Sequence, residues 1–162
     1  MDDIDRKILA CLQEDATTPL DEIARAAGLS PSPCWRRIRK LEASGVIQRR
    51  VALLDPQALG VGVTVFVSIR TARHNLEWAE GFCRAIARMP QVVEFYRMNG
   101  TVDYLLRIVV PDVDAYDVIY KKIINVAELY DVTSSFAIEQ IKYTTALPLD
   151  YVTASIGMTE KK

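Results

Sequence analysis

Leu29-Ser30-Pro31-Ser32-Pro33-Cys34-Trp35-Arg36-Arg37-Ile38-Arg39-Lys40-Leu41-Glu42-Ala43-Ser44-Gly45 is the stretch on which the fold turns. Its pattern predicts a helix. Ser30 is placed to cap it, and Pro31 suits the first helical position, where the amide has no intrahelical partner. Pro33 at the third position is tolerated for the same reason. Gly45 can close the helix in a left-handed turn. Residues step by about 100° around a helix axis. Cys34, Ile38 and Leu41 therefore gather on an inward face, while Ser32, Arg36, Arg39, Lys40 and Ala43 gather on the other. Arg37 falls on a flank. Trp35 lies toward the edge of the inward face, where its bulk predicts core packing in preference to base contact. Cys34 is read as an inert core thiol, although its place in the first turns could favour thiolate.

Working outward, the preceding residues form a shorter amphipathic helix, with Leu20, Ile23, Ala24 and Ala27 on one side. Thr18 is expected to cap it, and Gly28 to end it. Before that, Ile4, Ile8, Leu9 and Leu12 make a stripe on a helix that starts after Asp2 or Asp3 and ends near Asp15. Two short helices joined through Ala27-Gly28-Leu29, with a third beneath, give a helix-turn-helix. The chain carries a formal net charge of −1 over 162 residues. Yet Arg36, Arg37, Arg39, Lys40, Arg49 and Arg50 face only Glu42 within their stretch. Such a local basic cluster is the footprint expected of a nucleic-acid site; a solvated helix face would produce it equally. Small residues at the helix start allow close approach to base edges. This places Ser32, Pro33 and Arg36 nearest the bases and Arg37, Arg39 and Lys40 mainly on the phosphate backbone. Ser30 and Arg49 complete the candidate DNA-binding set.

Beyond Gly45 the apolar period changes to two. Val46–Leu54 reads as a short strand exposing Arg49 and Arg50, and the Pro- and Gly-rich residues 55–62 as a linker. Val63–Thr71 alternates and is β-branched. Leu76–Met89 is helical, with Ala79, Phe82, Cys83 and Ile86 on one side. Val92–Met98 is a strand, followed by the turn-like Asn99-Gly100-Thr101. Tyr104–Val110 is a strand so apolar that burial on both faces is expected. After Pro111, Asp112 can cap a helix whose stripe is Tyr116, Ile119, Tyr120 and Ile123. Val132–Tyr143 is the last strand. The β-α-β-β-α-β order is ferredoxin-like, so the fold class is α+β. The expected division is 1–54 for DNA binding, 55–62 linker, 63–148 ferredoxin-like domain and 149–162 tail.

The remaining composition excludes more than it suggests. Three cysteines (Cys11, Cys34, Cys83) are widely spaced, and His74 is the one histidine. No zinc constellation follows, and reduced thiols fit a cytosolic chain. No cofactor is expected. The start Met-Asp-Asp-Ile-Asp is no signal peptide, and no stretch approaches the ~20 apolar residues of a membrane span. A cytoplasmic, nucleoid-associated protein is expected. There is no nucleophile–base pair or Gly-rich phosphate loop, and His74 sits in an expected loop, so no enzyme is expected.

In sum of its motifs the sequence resembles the Lrp/AsnC (feast/famine) family of regulators over roughly residues 2–149. The matching stretches are Asp3-Ile4-Asp5-Arg6-Lys7-Ile8-Leu9, Glu22-Ile23-Ala24, Gly28-Leu29-Ser30, Arg37-Ile38-Arg39-Lys40-Leu41-Glu42, Gly45-Val46-Ile47 and Leu54-Asp55-Pro56 with Leu59-Gly60. They continue with Val92-Val93-Glu94-Phe95-Tyr96, Gly100 with Asp103-Tyr104-Leu105-Leu106, and Thr133-Ser134-Ser135. The resemblance implies a winged helix-turn-helix followed by a ferredoxin-like effector and oligomerisation domain. It implies homodimers formed through the sheets that assemble into tetramers or octamers, double-stranded DNA as partner, and an amino-acid effector near the interface between dimers. Regulation of amino-acid or nitrogen metabolism is the function it suggests. Two loops match the effector region, Met98–Asp103 and Thr133-Ser134-Ser135. The candidate effector residues are Tyr96, Gly100, Thr101, Val102, Asp103, Thr133, Ser134 and Ser135. Asp103 can accept from an ammonium, while the amides of Gly100–Val102 and the three hydroxyls can donate to a carboxylate. Alternatively, Asp103 caps a turn and the hydroxyls satisfy strand-end backbone. Many relatives carry Gly-Asp-aromatic-Asp in the first loop; here Thr101 stands in place of the first acid. Haem-pathway decarboxylases resemble the family in both halves and give the enzymatic alternative, and an architectural DNA-compacting protein gives another.

Overall fold

The computed structural model of the chain describes residues 1–72 and 75–152; His74 and the end of the tail lie outside the described residues. The chain folds as two units. One comprises Met1–Ala52 together with the chain from Lys142 onward, and the other Leu53–Ile141.

In the first unit α1 (Asp3–Glu14) starts at a capping box. The Asp2 carboxylate accepts from the Asp5 amide at 2.8 Å, and the Asp5 carboxylate accepts from the Asp2 amide at 3.2 Å. Two of the helix's orphan amides are thereby satisfied. α2 (Leu20–Ala27) opens at Pro19 with no side-chain cap. Thr18 does not cap it as expected: its hydroxyl donates back to the Asp15 carbonyl. Gly28, at φ 71°, lets the Leu29 amide bond to Ala24 O at 2.8 Å and aims the chain into the next helix. α3 (Pro31–Ala43) follows, starting and ending within one residue of the expected limits. Ile8 and Leu9 of α1, Ile23, Ala24 and Ala27 of α2, and Cys34, Ile38 and Leu41 of α3 form the core.

Two expectations fail beside this core. No strand forms over Val46–Leu54; the segment is irregular, and Val51, Leu53 and Leu54 are exposed. A strand needs a partner ladder, and none of the described residues supplies one, so the implied wing is not built. The C-terminal segment also behaves as more than a tail. Gln13 on α1 donates to Leu147 O and accepts from the Leu147 amide, both at 3.0 Å. Leu149, in a single 3-10 turn (Leu149–Tyr151), packs against the helical core. Arg6 donates to Val152 O at 3.1 Å.

The second unit begins with residues 55–62, which form a hydrogen-bonded turn: Leu59 N bonds to Asp55 O at 3.1 Å and Val61 N to Pro56 O at 2.8 Å. β1 (Val63–Thr71), α4 (Leu76–Ala87), β2 (Val92–Arg97), β3 (Tyr104–Val110), α5 (Val113–Val126) and β4 (Leu129–Phe136) follow. The four strands form one antiparallel sheet in the order β2-β3-β1-β4, which is the ferredoxin-like arrangement. Val65, Val67 and Ile69, with Tyr104, Leu106, Ile108 and Val110, pack on Phe82 and Ile86 of α4 and Tyr116, Ile119 and Ile123 of α5. Trp78 stacks on Phe82, centroids 5.1 Å apart. β3 is not buried on both faces as expected: its residues alternate between buried and half-buried. The helices cover one face only, which leaves Phe66, Leu105, Arg107 and Val109 on the other. β4 stops at Phe136 instead of Tyr143. Phe136 pairs with Val65 and the Ala137 amide bonds to Thr64 O, so the strand ends where its partner begins.

Candidate DNA interface and effector site

α3 places the basic residues as its periodicity requires. Cys34, Ile38 and Leu41 are sealed in the core, while Ser30, Ser32, Arg36, Arg39 and Lys40 face solvent and Pro33 and Arg37 are half-buried. Burial raises the Cys34 thiol above its ordinary value of 9.0, with the neighbouring Cys11 adding to the effect. That argues for the inert reading and against a thiolate.

The cations differ in what already holds them. Arg37 bridges Asp2 at 2.7 Å and Asp5 at 2.8 Å, the same two carboxylates that cap α1. The Asp5 amide, then the Arg37 guanidinium, hold the Asp2 carboxyl below its ordinary value. Arg37 thus ties α3 to the start of α1, a structural task beyond the phosphate contact expected of it. Arg39 pairs with Glu42 at 3.0 Å, and Arg50 reaches the same carboxylate at 3.3 Å. Among the described residues Arg36, Lys40 and Arg49 carry no ion pair and are exposed. Arg36 and Lys40 share with Pro33, Arg37, Met1, Asp2 and Asp5 an open groove beside the helix. Arg49 lies outside α3, in the irregular segment that follows.

Trp35 overturns its expected placement. It is 54% exposed and contributes nothing to the core of the unit. The Arg39 guanidinium lies over its ring, 6.0 Å from the centroid. The sequence signal was present: on the wheel Trp35 sits about 100° from Cys34, at the margin of the apolar arc, and the core closes over Cys34, Ile38 and Leu41 without it.

The second candidate site is divided by the fold. Gly100, at φ 145°, and Thr101 form the exposed tip of the β2–β3 hairpin. Asp103 closes that hairpin: its carbonyl accepts from the Met98 amide at 2.8 Å, and its own amide bonds to Ile69 O at 2.9 Å. Its carboxylate accepts from the Thr71 amide at 2.7 Å and the Thr71 hydroxyl at 3.1 Å. The carboxylate thus ties the hairpin to the end of β1. A small cavity of about 170 Å³ opens beside it, lined by Thr71, Asn75, Leu76, Arg97, Met98 and Asp103 among others. Arg97 was missed by the sequence reading because it ends a strand outside the loop motif. Tyr96 is exposed on β2, and its hydroxyl donates to Glu94 at 3.2 Å. The Glu94 carboxylate raises the Tyr96 phenol, and Arg107, at 2.7 Å, lowers Glu94.

Thr133, Ser134 and Ser135 are not a loop; they lie within β4, on the far side of β1 from the hairpin. Strand alternation splits them. Ser134 shares the helical face, where its hydroxyl hydrogen-bonds the Tyr116 hydroxyl. Thr133 and Ser135 share the open face with Ser68 and Phe66. One chain does not bring these hydroxyls to Gly100–Asp103. Among the described residues no group of histidine, cysteine or carboxylate side chains could hold a metal, and no helix is long and apolar enough to cross a membrane.

Known proteins share this arrangement throughout. Residues 1–42 match the AsnC-type helix-turn-helix domain, and residues 64–147 match the Lrp/AsnC ligand binding domain. The chain is 50% identical over 151 residues to the DNA-binding transcriptional activator DecR of Escherichia coli (strain K12), covering 93% of this chain and 99% of that protein. It is 49% identical over 149 residues to the glutamate uptake regulatory protein of Zymomonas mobilis, covering 92% and 91%. The crystal structure of an AsnC family transcriptional regulator from Agrobacterium tumefaciens superposes with a TM-score of 0.91 at 60% identity, covering 94% of this chain and 100% of that one. A transcriptional regulator from Neisseria meningitidis, solved as its L-Met complex, superposes at 0.87 with 32% identity, covering 93% and 97%. With a helix-turn-helix whose third helix turns a basic face to solvent, a ferredoxin-like second unit and these matches along both, the chain belongs to the Lrp/AsnC family of DNA-binding transcriptional regulators.

Proposed function

We propose that this regulator binds specific DNA sites as a homodimer, or as the tetramer or octamer into which dimers assemble, to control genes of amino-acid or nitrogen metabolism in the cytoplasm. Its second unit takes a free amino acid as effector. The observation that carries the DNA reading is α3: three core residues sealed on one side, and Ser32, Arg36 and Lys40 open on the other. Arg36 is the base-reading residue, with Ser32 and Pro33 allowing approach and Ser30, Arg37, Arg39, Lys40 and Arg49 meeting the backbone. Genome-wide mapping of binding sites tests this; a distribution without a shared motif, or a specific-to-nonspecific affinity ratio near one, would replace it with DNA compaction.

For the effector, the small cavity beside Asp103 carries opposite charges, Arg97 and Asp103, on its lining. Those charges suit the carboxylate and ammonium of an amino acid. Tyr96 and the Gly100–Val102 tip supply the nearest further polar groups. The separation of Thr133 and Ser135 from the hairpin favours a site completed by a second copy, in keeping with the implied interface between dimers. The Zymomonas mobilis and Neisseria meningitidis relatives, named for glutamate uptake and solved with L-Met, support the amino-acid class. A calorimetric screen of the twenty amino acids against the full-length protein should find at least one that binds at millimolar concentration or below. Silence across all twenty would remove the effector from the proposal and leave the DNA reading standing.

A further inference from the structure

We propose that Trp35 is itself a DNA-contact residue of the recognition helix, its indole lying against apolar atoms of the major groove. The inference rests on α3 being the element that enters the groove, and adds to it a contact of a different chemical kind. Three observations meet at this residue. A large aromatic on a short helix normally gains burial, yet Trp35 stays more than half exposed beside a core that is complete without it. It follows Cys34 and precedes Arg36, so it sits in the part of the helix that approaches base edges. The Arg39 guanidinium lies over the ring at 6.0 Å and is itself held by Glu42 at 3.0 Å, so that a cation accompanies the indole on one flank. Arg37 occupies the opposite flank and is turned toward α1 by Asp2 and Asp5. The two flanks thus differ: one is tied to protein, and the other presents an apolar plane backed by a positive charge.

DNA offers two apolar surfaces to such a plane, the thymine C5-methyl group on the groove floor and the deoxyribose along its wall. Both would take the indole out of water without neutralising a phosphate. This chemistry sets Trp35 apart from its neighbours. A phosphate-binding lysine contributes to the salt dependence of affinity, whereas an apolar contact does not.

The test uses the full-length protein and a duplex obtained by in vitro selection against it. The chain has two tryptophans, and Trp78 is half-buried and stacked on Phe82, so Trp78→Phe leaves Trp35 as the single tryptophan, excited selectively at the red edge beyond tyrosine absorption. Specific DNA should then shift or quench its emission and shield it from iodide. Trp35→Ala should lower specific affinity about ten-fold, the scale of one good base contact, with the slope of log affinity against log salt unchanged. Trp35→Phe should retain most of the affinity, which separates contact from folding. Replacing thymine by uracil in the duplex should weaken the wild type and not Trp35→Ala if the methyl is the partner. An equal effect on both, with the Trp35→Ala loss intact, assigns the deoxyribose. Emission that ignores DNA, together with unaltered affinity in Trp35→Ala, overturns the proposal; so does emission that responds only to protein concentration. Arg36→Ala and Lys40→Ala run alongside: if they too leave binding untouched, the fault lies with α3 as the reading helix.

Discussion

Single residues on α3 have separable tasks, and substitution distinguishes them. Arg36 is exposed and unpaired among the described residues, so Arg36→Ala should change the preferred binding sequence. Lys40→Ala should instead weaken all sequences alike and reduce the salt slope by about one for each bound subunit. In vitro selection and binding isotherms at several salt concentrations read both outcomes. Ile38 is buried between the helices, and truncating it removes core volume. Ile38→Ala should cost the first unit about 2–5 kcal/mol in urea denaturation. Arg37 shows how far charge alone misleads: on the wheel it belongs to a basic flank, but Asp2 at 2.7 Å and Asp5 at 2.8 Å, distant in sequence, hold it at the cap of α1. The Asp2 carboxyl titrates below its ordinary 3.8. Its folded value is depressed, so its stabilising contribution is complete above the unfolded value and vanishes as pH falls through the folded one. NMR titration of Asp2 should therefore show a midpoint below 3.8 in the wild type and a return toward it in Arg37→Ala. No change on that substitution would show that the ion pair does not form in solution.

At the scale of elements, one side chain contributes a defined share to holding each of two segments, the hairpin and the C-terminal stretch. Asp103 bonds the Thr71 amide and hydroxyl and so ties the β2–β3 hairpin to the end of β1. Asp103→Ala should leave that amide without its partner, at a cost of about 1–3 kcal/mol, whatever its effect on a ligand. A thermal melt of the unliganded protein measures this apart from binding. Gln13 pairs with both polar groups of Leu147, as a neighbouring strand would. Gln13→Ala should speed amide hydrogen exchange at Leu147 and leave that of β1 and β3 unchanged. The regular elements were legible from local patterns: β1 begins and ends where alternation says, β3 where its apolar run does, and α1 to α3 fall within a residue or so of their caps. Val46–Leu54 misled because alternation describes what a strand would look like once paired, and provides no partner. β4 was overrun at its C-terminal end for the same reason, since its limit is the length of β1.

For the whole molecule the open face of the sheet sets the expectation. Phe66 is 39% exposed there, flanked by Leu105, Val109 and the Glu94–Arg107 pair. In the proposed dimer this face is covered. Phe66→Glu should shift the sedimentation coefficient toward the monomer and lower specific DNA affinity by more than ten-fold, because one recognition helix reads only a few base pairs and specificity needs paired half-sites. Unchanged sedimentation would place the dimer contact elsewhere. The two loops named for the effector were adjacent only as motifs. Within one chain β1 separates them, and in the proposed assembly a second copy completes the site.

The sequence by itself determined the three N-terminal helices, the order β-α-β-β-α-β, the inward face of α3 and the family, because periodicity and caps are local properties and a family match accumulates along the chain. Only the tertiary structure decided that Trp35 stays outside the core, that Arg37 is spent on Asp2 and Asp5, that Asp103 caps Thr71, and that the chain returns from Lys142 to the helical unit. Each of these depends on a partner distant in sequence, and no periodicity encodes whether a neighbour's side chain leaves room or supplies a charge. α3 shows both sides of this division: the sequence said which residues turn outward, and the packed structure said which of them remain available.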